Sequence, residues 1–137
     1  MFGLLKNLKG NQALMRFYEE LKKNLELYHV HDQRQFIDKE FKTDEWAKAK
    51  SLETLQGADK IQLYGNVIED FNRFFRTFRD FEKWYAADMA NKTQENAQKL
   101  HTQRAELDEK LKGLYPVICQ AGEQLEYKLI DLGLIKQ

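Results

Sequence analysis

Residues 59–85 read DKIQLYGNVIEDFNRFFRTFRDFEKWY. Leu63, Val67, Phe71, Phe74, Phe78, Phe81 and Tyr85 recur at steps of four, four, three, four, three and four, and Tyr64, Ile68 and Phe75 widen the row. That spacing follows the 3.6-residue turn of an α-helix, with no strand-like alternation to compete with it. Asp59 opens the segment with Gln62 three residues on, an approximate capping box with Asp in place of Ser or Thr. The pattern predicts a core-facing helix from Asp59 to about residue 91.

Downstream, Leu100, Leu107, Leu111, Leu114, Ile118, Ala121, Leu125, Leu129 and Leu132 form a matching row across residues 93–132. Pro116 interrupts it by removing one backbone donor and crowding the preceding turn. Because the apolar phase continues past Pro116, a kink or tight break is expected rather than a reversal. The short Asn91-Lys92-Thr93 connection predicts that the two long helices are antiparallel neighbours. Upstream, Leu14, Phe17, Tyr18, Leu21, Leu25 and Tyr28 mark a helix over residues 11–28, which His29-Val30-His31-Asp32 is expected to break. Asp32 can cap a short helix carrying Phe36, Ile37 and Phe41. Thr43 or Asp44 can cap another with Trp46, Leu52 and Leu55, ended by a left-handed Gly57.

The whole sequence agrees with this reading. It has 137 residues, 42% apolar and 32% charged, with one proline. Such a length suits one domain that folds on hydrophobic burial. Lys and Arg total 22, as do Asp and Glu, so bulk attraction to nucleic acid is not expected. Cys119 is the single cysteine, which excludes an intrachain disulfide and fits a reducing compartment. With no apolar run near the ~20 residues of a membrane span, and no signal-peptide pattern at the start, the expected location is cytoplasmic. The expected fold is an all-α, single-domain, antiparallel up-and-down bundle over residues 1–137. It has four main helices plus short helices in 32–56, packed in a coiled-coil-like manner, with residues 1–10 a candidate amphipathic N-terminal segment.

Polar residues inside the apolar rows mark candidate sites. Glu82 interrupts the row of residues 59–85, and Arg104 interrupts the next row between Leu100 and Leu107. A reversal near residue 92 sets them face to face, with His101 and Gln103 nearby. A buried carboxylate requires such a partner, so an internal ion pair that fixes register is the first expectation. A polar spot lining a ligand pocket, formed by Glu82, Arg104 and His101, is the alternative.

Other motifs point to chemistry less directly. Glu26, His29, His31 and Asp32 have the residue types of a mononuclear metal site. A solvated polar turn is the plainer reading, and no cofactor is expected. Only one Glu-x-x-His spacing is present, whereas a di-iron bundle needs two and further glutamates. Arg73, Arg76 and Arg79 alternate with phenylalanines and could form an anion patch, although nearby acids partly neutralise that face. Trp84 lies outside the apolar arc and is expected to be covered by residues 30–58, with a place on a partner-binding surface as the alternative. Phe2, Leu4, Leu5 and Leu8 beside Lys6 and Lys9 form a short basic amphipathic stretch. Docking on the bundle or a protein is expected for it ahead of membrane contact. Gly65 and the Ala121-Gly122 pair suit close helix packing, and Cys119 suits a buried apolar role.

No phosphate loop, nucleophile elbow or His-Glu-x-x-His motif is present in the sequence. The expected function is therefore a non-enzymatic module that binds a protein partner or itself, because apolar rows this wide favour pairing of two copies. A small-ligand or metal-binding bundle and a peripheral membrane protein anchored by residues 2–9 are the alternatives.

Overall fold

A computed structural model describes residues 2–32 and 39–136, with side chains for 8–31 and 39–136. The fold is all-α. Four helices are present, α1 (Phe2–Asp32), α2 (Asp44–Ala49), α3 (Asp59–Ala87) and α4 (Gln94–Asp131), with 3₁₀ turns at Glu53–Leu55 and Met89–Asn91. There is no strand among the described residues. Three helices are long, and α2 is a turn and a half. The expected short helix with Phe36 and Ile37 falls outside the described residues.

Two expected breaks do not occur. The α1 helix is continuous from Phe2 to Asp32, so residues 2–10 join the helix expected over 11–28. The helix also runs through residues 29–32, where His31 packs on Phe41, Phe71 and Phe75 at ring distances of 5.2, 6.4 and 6.3 Å. Those contacts carry the helix a turn past its aliphatic pattern. In α4, Pro116 lies inside an uninterrupted helix of 38 residues. Pro116 and Lys112 are both exposed, so water can reach the carbonyl that the missing N–H leaves without a helical donor.

Side-chain pairs fix the helix directions. Arg104 meets Glu82 at 3.0 Å, Lys110 meets Asp70 at 3.1 Å and Gln124 meets Asp59 at 3.1 Å, so α3 and α4 run antiparallel. Tyr28 stacks near Tyr115 at 5.2 Å, and a Cβ on Gly122 would lie 3.2 Å from Leu21, so α1 and α4 also run antiparallel. Phe17 meets Tyr64, and His31 meets Phe71, so α1 and α3 are parallel. Residues 39–58 return between them, from the level of His31 down to Leu52 beside Gly10.

The buried row of α3 is Ile61, Tyr64, Ile68, Phe71, Phe75 and Phe78. It is rotated from the expected row: Leu63 is 45% exposed, and Val67, Phe74, Phe81 and Tyr85 are only half-buried. The cause is a helix with two sets of neighbours. One side of α3 meets α1 and the returning segment. The other meets α4, where Lys110 and Lys99 lie over Phe74 and Phe81 at 5.3 and 4.7 Å.

Polar side chains from the long helices hold the returning segment. Asn24 of α1 donates to the Lys42 carbonyl (2.7 Å) and accepts the Lys42 N–H (2.8 Å). Asn72 of α3 does the same for Phe41, at 2.8 and 3.0 Å. Two consecutive backbone units are thus satisfied from opposite sides, as a neighbouring strand would satisfy them. Glu20, itself buried, accepts the N–H groups of Glu45 and Trp46 and caps α2 from α1. Trp46 donates its indole N–H to Glu69 and packs against Gly65, where a Cβ would collide with its ring. Burial raises the Tyr64 phenol above the ordinary tyrosine range, and Asn24 donates to its oxygen at 2.9 Å.

The start of α3 is also capped at long range. The Gln124 carboxamide accepts the N–H groups of Lys60 and Ile61 and donates to Asp59. Gln62 bonds the Leu55 carbonyl instead of closing the expected box. Gly57, at φ +79°, takes the left-handed conformation expected of it.

Candidate functional site

The α3–α4 hairpin changes character past Phe78. No side chain in residues 79–106 is buried, although the stretch carries Phe81, Trp84, Tyr85, Met89 and Leu100. Trp84 is 47% and Met89 78% exposed. Trp84 stands against Phe81 at 5.6 Å and is half open to solvent, where cover from residues 30–58 is expected; residues 33–38 of that stretch lie outside the described residues. The turn beneath these residues is firmly built. Asp88 accepts from Ala90, Asn91 donates to the Trp84 carbonyl, Asn96 donates to the Asn91 carbonyl, and Thr93 caps α4 through the Asn96 N–H. A surface held in one shape binds without a large ordering cost.

Glu82 and Arg104 meet as their positions in the rows imply. Glu82 accepts from Arg104 at 3.0 Å and from Arg79 at 2.6 Å, so both carboxylate oxygens are engaged. The pair is not internal, since the Arg104 side chain is 54% exposed. Glu82 lies beyond Phe71 and Phe75 on the α3 face whose lower part meets His31, the last α1 side chain described. His101 is exposed, and of the expected pocket residues Glu82, Arg104 and His101 the first two engage each other at the surface.

The other candidates are dispersed. Because α1 remains helical, His29 and His31 lie on nearly opposite sides. His31 is buried, while His29 is exposed beside Tyr28 and Tyr115. Glu26 is exposed, and the Asp32 side chain is outside the description. No three His, Cys, Asp or Glu among the described residues are arranged to hold a metal ion. The three arginines each face an acid: Arg73 Asp70 at 4.0 Å, Arg76 both Glu40 oxygens at 3.1 Å, and Arg79 Glu82. They do not form an open anion patch. Cys119 is half-buried rather than core, and its thiol pushes the neighbouring Tyr115 phenol upward.

At the opposite end, Leu8 is 53% exposed; the side chains of Phe2, Leu4 and Leu5 lie outside the description. A cleft of about 380 Å³ lies between α1 and the returning segment, where Arg16, Lys23 and Lys42 face Glu19 and Asp44. Its charges are of both signs and select no ligand class. No described helix is long and apolar enough to cross a membrane.

Sequence reasoning missed Asn24, Asn72 and Glu20. Asn24 had a legible signal, because it interrupts the row Leu14, Phe17, Leu21, Asn24, Tyr28 just as Glu82 interrupts its own. Compared with protein families, curated proteins and solved structures, this chain has no match.

Proposed function

We propose that this chain is a non-enzymatic protein-binding module whose α3–α4 hairpin pairs with a second copy. The observation that supports it is the set of aromatic, Met and Leu side chains in residues 79–106, none of them buried, on a hydrogen-bonded turn. Large apolar residues on a rigid projection are the anchors that protein interfaces use. A second copy suits the charge of this surface. Residues 79–106 carry five basic and five acidic residues, so two hairpins meet without net repulsion. Two such hairpins side by side also make a four-helix arrangement.

Sedimentation equilibrium tests this reading. The expected result is a concentration-dependent dimer that Trp84→Ala combined with Met89→Ala converts to monomer. A monomer at every concentration up to about 1 mM overturns it, as does a dimer that the double variant leaves intact.

A further inference from the structure

Residues 41–46 lie in a groove between α1 and α3 as a bound peptide would. The floor of the groove is aromatic. Phe41 stacks on His31 at 5.2 Å and meets Phe71 at 5.3 Å. Five positions on, Trp46 meets Phe17 at 5.3 Å and Tyr64 at 6.4 Å. Both rings are buried. The second socket exists because position 65 is glycine, since a Cβ there would collide with the indole. A glycine inside a helix weakens it, so Gly65 serves the socket and not α3.

The walls of the groove hold the backbone. Asn24 of α1 and Asn72 of α3 each donate to a carbonyl and accept an N–H, at Lys42 and Phe41 respectively. Glu20 of α1 accepts the N–H groups of Glu45 and Trp46, and Glu69 of α3 accepts the Trp46 indole. Among the described residues, no backbone group of 41–49 bonds to the backbone of a long helix. Helix side chains therefore make the hydrogen bonds that tie this segment to α1 and α3. Two asparagines that read successive peptide units recognise a backbone whatever its side chains, and pockets for particular side chains add selectivity. Here the pockets are the two aromatic sockets. Nothing in this chemistry requires the occupant to belong to the same chain.

We propose that the α1–α3 groove is a peptide-binding site, which residues 41–46 fill in cis as a self-ligand and the same segment of a second copy fills in trans. The two segments are identical, so the fit in trans is the one seen in cis, an exchange of like elements between protomers. The tethered segment has the advantage, because linkage gives it an effective concentration on the order of millimolar. The groove is formed by residues 17–31 and 64–72, apart from the hairpin of residues 79–106, so this site does not depend on the pairing proposed there.

The test is rescue by a synthetic peptide of residues 39–50. Phe41→Ala/Trp46→Ala in the full chain empties both sockets and leaves the groove residues in place, so its thermal unfolding midpoint should fall. Peptide at about 1 mM should raise that midpoint by roughly 3 °C or more, saturably. A peptide carrying the same two alanines should have no effect. No shift with the natural peptide overturns the proposal, as does an equal shift with the alanine peptide. Where the variant does not fold, amide exchange of the parent chain decides the matter. The N–H groups of Phe41, Lys42, Glu45 and Trp46 should exchange together, roughly tenfold or more faster than those of Ile68 and Phe71. Exchange of all six at one rate would show that the segment leaves the groove only when the whole chain unfolds, and this too overturns the proposal.

Discussion

Trp46 and Trp84 belong to two different regimes of one bundle. Trp46 is 3% exposed, lies on Gly65, touches Phe17 and Tyr64, and has its N–H satisfied by Glu69. Trp84 is 47% exposed and rests on Phe81 alone among described rings. The lower bundle packs α3 against α1, the returning segment and α4. In the hairpin, the side-chain contacts of α3 run to α4 and the connecting turn. Burial therefore stabilises the lower region, while exposed ion pairs and turn hydrogen bonds shape the upper one. A large aromatic on an unburied surface adds little stability there.

The comparison can be broken most directly at the tryptophans. Trp46→Ala should destabilise the fold by about 3–5 kcal/mol, and Trp84→Ala by less than about 1 kcal/mol, both read from urea unfolding. Equal losses would show that the hairpin is as much a part of the core as the lower bundle. Next in size is Asn72→Ala, which strands the N–H and carbonyl of Phe41 in a buried place. A loss of about 2 kcal/mol is expected from the usual cost of an unsatisfied buried group. Unchanged amide exchange at Phe41 would argue that the clamp is not needed.

Gln124→Ala removes the cap of α3 and should destabilise by about 1 kcal/mol. The Gln124 amide holds the Asp59 carboxyl below the ordinary aspartate range. A carboxyl depressed on folding adds stability above its unfolded value and loses it as pH falls through its folded value. The variant should therefore show a shallower fall of stability in acid, measured by unfolding at stepped pH. The smallest effect is expected at the upper region's ion pair. A Glu82→Ala, Arg104→Ala double-mutant cycle should give a coupling of about 0.2–1 kcal/mol that shrinks with salt, because the pair is solvated and Arg79 keeps a hold on Glu82. A coupling of several kcal/mol would place that pair in a dry interior.

Much of the architecture was legible because it rests on periodicity. The rows of α3 and α4, the link between them and the facing of Glu82 and Arg104 all follow from counting at 3.6 residues per turn. The candidate sites were less legible. Counting placed Glu82 and Arg104 together but did not reveal their exposure, which depends on what the other elements cover. The metal residues looked clustered because their spacing was read as a turn, and helix continuity parts them. The α3 cap was sought in Gln62, three residues away, and supplied by Gln124, 65 residues from Asp59.

The order of apolar and polar residues alone established an all-α chain, its long helices and the close approach of α3 and α4. These are local consequences of backbone geometry and of apolar rows that must leave water. Folding in three dimensions decided the rest: that α1 and α4 run unbroken through His29-Val30-His31 and Pro116, that Asn24 and Asn72 clamp Phe41 and Lys42, and that Trp84 is exposed while Trp46 is buried. Each of these depends on which distant residue stands opposite, and a helix's own pattern carries no record of what packs against it.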